Sequence, residues 1–308
     1  MTTDSQAMSQ AERRRWLLDA LLAEDPEYAR LEVPAGRHDQ QRLLRGLMNV
    51  RMPAPVSEDF LAVQDAYLRE LTAGKGVTSL DELTPAPHDP DLFCWQGDIT
   101  TLGVDAIVNA ANNKLLGCFV SNHRCVDNAI HSSAGVQLRV ACAELMRAQG
   151  HDEPTGTAKI TPGFNLPAHH VIHTVGPVVT GPLTAEHREL LASCYRSALA
   201  LADESGLASI AFCCVSTGEF GFPNDAAATV ALGTIRDYKE RTGSALKVVL
   251  NVFTDLDLRL YNELLGGHRL EAADLAFEEQ HADEHRREDR PAPRGGRHRT
   301  RLDCRGGG

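Results

Sequence analysis

The chain lacks any apolar run near the roughly 18 residues needed to span a bilayer, and no charged-then-apolar signal segment opens it. Neither a membrane protein nor a secreted one is expected. Its eight cysteines show no spacing of a disulfide framework, so a reducing, cytoplasmic setting is the expectation. An excess of positive charge is missing too. With a net charge of −11 and an isoelectric point near 5.6, nonspecific nucleic-acid binding is not expected, because it relies on broad positive surface. Any anionic ligand must be held locally. What the chain does have is bulk: 308 residues, 43% of them hydrophobic, enough to bury a full core in one large domain or two modest ones.

Three regions differ in character. In residues 1–90, Trp16, Leu17, Ala20 and Leu21, then Leu43, Leu44, Leu47 and Met48, then Phe60, Val63, Tyr67 and Leu71 recur at three-to-four-residue spacing. This predicts helices, interrupted at Pro53 and Pro55 and followed by the Gly/Pro-bearing connector GKGVTSLDELTPAPHDPD. In residues 91–266 the short apolar runs LFCW, DAIV, HVIHTV, ASIAFCCV and LKVVLNVF read as strands covered on both faces, and residues 126–149, 184–205 and 224–241 between them read as helices. Strand and helix in alternation predict an α/β layered sheet with right-handed crossovers. Residues 267–308 are charged, Gly/Pro-bearing and nearly free of large apolar side chains, so they are expected to form a solvated, disordered tail. Its arginines, from Arg286 to Arg305, are assigned no function.

One loop stands out for its chemistry. In GCFVSNHRC, Cys118, His123 and Cys125 put two thiols and an imidazole within a short stretch, after the strand run DAIVNAANN and before a helical run. A structural zinc is closed by four protein ligands, whereas a catalytic one has three and leaves a position open. Three are in reach here. At about 1.5 Å per residue along a continuous helix, Cys142 would lie about 25 Å away, while Asp127 or His131 are near enough in sequence to close the site. An open zinc position is the expectation; the bland alternative is a surface histidine beside two cysteines packed as small hydrophobes, or a thiol pair that responds to oxidation.

Other polar residues fall where strands give way to loops, the edge at which open α/β sheets bind ligands. Asp98 in WQGDIT and Asn109 and Asn112 in IVNAANN end two such runs, and VSTGEFGFPND is a small-residue loop before a helix. Backbone N–H groups near a helix N-terminus form an anion site, and Ser216, Thr217, Gly218 and Gly221 would let a diphosphate approach the backbone. Asp98 suits an exocyclic amine or a ribose hydroxyl, and the asparagines suit ribose hydroxyls. Taken singly, each is an ordinary turn or cap residue.

In that order, GDIT, VDAIVNAANN and STGEFGFP, with TPGFNLPAHHVIHTVGP, resemble the macrodomain family, which binds and processes ADP-ribose; the likeness runs from about Leu92 to Leu265. GCFVSNHRCVDNAIHSSAGVQLR looks like the zinc-dependent branch of that family, although VSN precedes His123 where that branch is expected to carry a proline. The resemblance implies a three-layer α/β fold, a mixed sheet flanked by helices, with a helical N-terminal extension. It further implies that Asp98 and the Ile99 backbone contact adenine, that Phe253 packs against the base, and that Asn109 and Asn112 face the distal ribose. The loop of Ser216, Thr217, Gly218, Glu219, Phe220 and Gly221 would wrap the diphosphate, and Cys118, His123 and Cys125 would hold Zn²⁺ beside the distal ribose. The implied activity is zinc-dependent removal of mono-ADP-ribose from Asp or Glu side chains of modified proteins, with Asn112, the three metal ligands and Asp127 as the reacting-end residues. A sirtuin-like ADP-ribosyltransferase is the implied partner. The rival is a reader that binds ADP-ribosylated protein without cleaving it. Asp127 is equally suited to cap a helix, His131 to brace the site, and His173 is expected to be a hydrogen-bonded interior histidine.

Overall fold

Four of the chain's parallel strands are apolar on both faces because both faces are covered, and this is what organises the molecule. The computed structural model describes residues 7–266; the expected tail, 267–308, lies outside the described residues. The helices come first: α1 (Gln10–Ala23), α2 (Arg37–Val50) and α3 (Glu58–Lys75). Ser9 starts α1 with a reciprocal capping box to Glu12, and Ser57 starts α3 by accepting the Phe60 N–H. Their apolar stripes meet in one cluster that includes Leu17, Leu18, Leu44, Leu47, Phe60, Val63 and Tyr67.

Then come β1 (Thr78–Ser79), β2 (Pro85–Ala86), β3 (Asp89–Gln96), β4 (Leu102–Gly103) and β5 (Ala106–Ala111), followed by α4 (Val126–Ala134), α5 (Val136–Gln149), β6 (Ala158–Pro162) and β7 (His170–Val175). The chain continues through α6 (Ala185–Glu204), β8 (Ser209–Phe212), α7 (Asn224–Thr242), β9 (Lys247–Val252) and α8 (Asp255–Leu265). The main sheet has seven strands in the order β2-β3-β9-β8-β5-β7-β6. The inner neighbours are parallel, and only the edge strands β2 and β6 run antiparallel to theirs. This is the expected α/β mixed sheet flanked by helices. Ile107, Val108, Val171, Ile172, Ile210, Val248 and Val249 are fully buried, which explains why those segments read as apolar runs without alternation.

The structure departs from the sequence reading in three places. The sheet already begins at Pro85, ahead of the boundary placed at residue 91, and the described residues fall in one compact unit. The N-terminal helices are therefore built into the body: Val136 of α5 belongs to their apolar cluster, and its N–H donates to Gln64 of α3. Strand β6 escaped notice because it is an edge strand of mixed polarity ending in Pro162. The helical region 126–149 is two helices, parted at Gly135 with φ +98° and ψ 175°, a conformation open almost only to glycine. A straight-helix distance to Cys142 thus does not apply.

A Cβ at Gly135 would stand 2.5 Å from Gln137 Oε1 and 2.7 Å from Gln64 Nε2. Gly135→Ala is therefore expected to destabilise the protein by roughly 1 to 3 kcal/mol. Urea unfolding measures this, and an unchanged midpoint would mean that the junction relaxes freely.

Candidate functional site

The carboxyl ends of four adjacent parallel strands, β3, β9, β8 and β5, deliver four loops to one edge of the sheet. β3 leads to Asp98, β9 to Phe253, β8 to the loop at Ser216, and β5 to Asn112 and the cysteine loop. The topology, and not proximity in sequence, brings these residues together.

Asp98 caps the short turn Ile99–Thr101. Its Oδ1 accepts from the Thr100 N–H at 3.0 Å and the Thr100 hydroxyl at 2.6 Å. Its Oδ2 accepts from Lys75 Nζ at 2.9 Å. Burial works against the charged form, but the hydrogen bonds from Thr100 and Lys75 overcome it and hold the carboxyl below its usual range. Phe253, across the β3–β9 pair, is 78% exposed, an unusual state for an aromatic ring and one that leaves its face available for stacking.

The loop after β8 is shaped by its own backbone. Ser216 adopts φ +67°, the Phe222 N–H donates to Ser216 O, and the Gly221 N–H donates to Gly218 O. Phe220 O accepts from the Val179 N–H, and the Thr217 hydroxyl caps Cys214 O. These bonds do not use the N–H groups of Gly218, Glu219 or Phe220, as an anion-holding loop before α7 requires.

Asn112 and Asn109 part company. Asn112 is half-buried; its Nδ2 donates to Gly117 O at 3.2 Å and its Oδ1 accepts the Lys114 N–H, fixing the start of the cysteine loop. Asn109 is fully buried, beneath the surface on which Asn112 lies. It sits opposite His173 in the β5–β7 register. Its amide donates to Asp127 Oδ1 at 2.8 Å and lies 3.2 Å from His173 Nδ1. The strand period turns Asn109 inward while the chain after Ala111 is free to turn outward.

Asp127 is buried as well, 5% exposed in the first turn of α4. Burial pushes its carboxyl up to about 7, against the hydrogen bond from Asn109 and with a contribution from Cys118. His131, one turn on, stands 3.5 Å from it and is held neutral by burial. His173 is an interior histidine, bonded through Nε2 to the Thr161 hydroxyl at 2.9 Å.

Cys118, His123 and Cys125 converge, their ligand atoms all within 4.8 Å of one another. The Cys118 Sγ to His123 Nδ1 separation is 3.6 Å; two ligands at zinc bond lengths of about 2.3 Å and 2.05 Å and a tetrahedral angle would stand about 3.6 Å apart. The hydrogen bond from Cys125 pulls Cys118 down to about 5 against burial, helped by the Val120 backbone and by His123, while Cys125 is pushed up in return. His123 turns its other nitrogen, Nε2, toward Glu219 Oε1 at 3.7 Å, so the loop after β8 touches the cysteine loop. Cys125 also begins α4, its sulfur accepting the Asn128 N–H at 3.4 Å.

A second group, His131, Cys142 and His173, likewise gathers its ligand atoms within 4.8 Å of one another but is wholly buried. Either group could hold a metal. The donor chemistry favours the loop: zinc takes thiolate, and burial pushes the Cys142 thiol up to about 12 where Cys118 is pulled down. His173 Nε2 is moreover already engaged by Thr161.

Residues that sequence reasoning missed come mostly from the N-terminal helices. Lys75 pairs with Asp98, and Arg45 and Asn49 reach the cysteine loop. Buried Arg139 donates to Leu116 O, Asn49 O and Cys118 O and lies 4.1 Å from the Phe119 ring centroid. Nothing in their local sequence marks them.

Comparison with known proteins agrees with this geometry. The Macro domain family model matches residues 108–231. A protein-ADP-ribose hydrolase of Treponema medium is 52% identical over 260 residues, covering 84% of this chain and 100% of its own. One from Staphylococcus aureus (strain MRSA252) is 52% identical over 252 residues, 82% of this chain and 94% of its own. Among solved structures, a Trypanosoma brucei macrodomain in complex with ADP-ribose superposes with a TM-score of 0.56 at 34% identity, covering 70% of this chain and 93% of that one. With four strand-end loops assembled as described and this degree of identity along most of its length, the chain belongs to the macrodomain family, alongside its protein-ADP-ribose hydrolases.

Proposed function

We propose that this protein-ADP-ribose hydrolase removes mono-ADP-ribose from Asp and Glu side chains of modified proteins, with zinc held by Cys118, His123 and Cys125. The observation that carries the reading is the meeting of two loops: the three-ligand loop after β5 and the anion-type loop after β8 touch at His123 and Glu219, 3.7 Å apart. A ligand with its diphosphate on the second loop would have its far end at the first. Three protein ligands leave a coordination position open, which a reader of ADP-ribose would not need.

In this reading Asp98 and the Ile99 N–H take the adenine edge, Phe253 covers the base, and residues 216–221 hold the diphosphate through backbone N–H groups. Asn112, whose amide uses one N–H on Gly117 O, offers the other to a ribose hydroxyl. Asn109, Asp127 and His173 support the floor from below. An ester at the anomeric carbon releases a carboxylate, which leaves at neutral pH without a proton, whereas a serine alkoxide or an arginine guanidine needs a well-placed acid. The loop presents no such acid. Bound zinc would supply polarisation of the distal ribose or of an attacking water; two thiolates neutralise its charge and make it a milder Lewis acid than a tris-histidine centre.

The deciding experiment is incubation with proteins carrying ADP-ribose on known side chains, with and without a chelator. Release from Asp- and Glu-linked protein, lost on chelation, is expected. Rapid, chelator-insensitive cleavage of a serine linkage would overturn the reading.

The adenine assignment is tested separately. Asp98→Ala is expected to weaken ADP-ribose binding by roughly 1.5 to 3 kcal/mol while turnover at saturation largely survives. Asp98→Asn, which keeps an acceptor for Thr100, separates binding from turn capping. Calorimetry showing unchanged affinity in both variants would refute the contact.

The writer of the modification is proposed to be a sirtuin-like ADP-ribosyltransferase. Support comes from a Fusarium oxysporum f. sp. cubense relative, 41% identical over 243 residues, whose name is "Probable bifunctional ADP-ribose hydrolase/ADP-ribosyltransferase" and of which the chain spans 40%. A cytoplasmic setting fits the free state of every cysteine among the described residues. Among those residues no helix is long and apolar enough to cross a membrane.

A further inference from the structure

We propose that Arg45, on α2, is a positioning residue that sets the metal loop in its ligating shape; the proposal rests on the metal reading above. Arg45 Nη2 donates to His123 O at 3.1 Å and to Asn128 Oδ1 at 2.7 Å, and its Nε reaches the same Asn128 oxygen at 3.2 Å. Asn128 passes the constraint on. Its Nδ2 donates to Val120 O at 3.0 Å, and its N–H donates to the Cys125 sulfur. One turn along α2 and on the same face, Asn49 Oδ1 accepts the Asn122 N–H at 3.0 Å. Asn122 holds φ +55°, a left-handed conformation that a non-glycine residue keeps only where its surroundings impose it.

The helix comes so near the loop that a Cβ at Gly46 would stand 2.5 Å from Ser121 Oγ. Thus α2 turns Leu44, Leu47 and Met48 to the bundle core and Arg45, Gly46 and Asn49 to the metal loop. A loop already held in its ligating shape loses less entropy on taking a metal.

The test uses the full chain loaded with zinc, with zinc release to a chromophoric chelator as the first readout. The second is hydrogen–deuterium exchange of residues 118–125 in zinc-free protein. Arg45→Ala should release zinc at least tenfold faster and exchange that segment faster, with Arg45→Lys intermediate because a point charge cannot bridge both acceptors. Asn49→Ala, whose Ser132 partner retains Asn128 O, should show the same direction if Arg45→Ala does not fold. Release and exchange equal to wild type in the variant that folds would overturn the role of α2. Wild-type protein that holds no zinc would instead overturn the metal reading, and the exchange data on zinc-free protein would still decide for or against Arg45.

Discussion

Cys125→Ser should purify without zinc and lose hydrolase activity by about a hundredfold or more, some 2.7 kcal/mol of transition-state stabilisation, while keeping nearly all its thermal stability. Serine replaces the ligand sulfur with a hydroxyl that zinc does not favour, yet it is among the best residues at a helix N-cap, and Cys125 occupies that position on α4 by accepting the Asn128 N–H. Cys125→Ala removes both functions and should in addition lose about 1 kcal/mol of stability. The matched control is Cys142→Ser, in the second, buried ligand group. It should keep its zinc and its activity. Metal analysis showing zinc lost from Cys142→Ser and retained in Cys125→Ser would move the metal to the buried group and overturn the assignment.

Asp127→Asn should change the pH dependence of stability in zinc-free protein. Burial raises the folded carboxyl from 3.8 to about 7, so the folded state holds this proton more tightly than the unfolded one. The cost is absent below the unfolded value, grows as pH rises from about 4, and is complete above about 7, on the order of a few kcal/mol at 1.36 kcal/mol per unit. Arg139 offsets it only in part, and His131 is neutral. Asparagine keeps an acceptor for Asn109 and has no charge to bury. The variant should therefore match wild type near pH 4 and exceed it at pH 8, as read by urea unfolding of chelator-treated protein. Parallel stability curves would contradict the burial argument. Because the carboxylate does not reach the surface, turnover of the zinc-loaded variant should stay within about tenfold; a thousandfold loss with ADP-ribose affinity intact would return Asp127 to the chemistry.

Much of this protein was legible in its linear order because the information was local. The heptad-like stripes Trp16 to Leu21, Leu43 to Met48 and Phe60 to Leu71 became α1, α2 and α3, since a helix buries one face whatever lies opposite. The runs around Leu92, Ile107, Val171, Ile210 and Val248 became the parallel strands, since a strand covered on both faces needs no alternation. The ligand set Cys118, His123 and Cys125 falls within eight residues of sequence and one loop, so its convergence needed only a turn.

What the tertiary structure alone decided concerns residues far apart in the chain or set by register. Which asparagine is buried depended on pleat and pairing: Asn109 opposite His173 turns inward, and Asn112 beyond the strand end is only half-buried. Gly135 divided what periodicity joined, because a left-handed backbone leaves no trace in an apolar stripe. Arg45 acts on His123 and Asn128 across 78 and 83 residues, and Lys75 on Asp98 across 23. No local pattern encodes such contacts; the helices of the N-terminal region serve the site only because the bundle core and Val136 dock them against it.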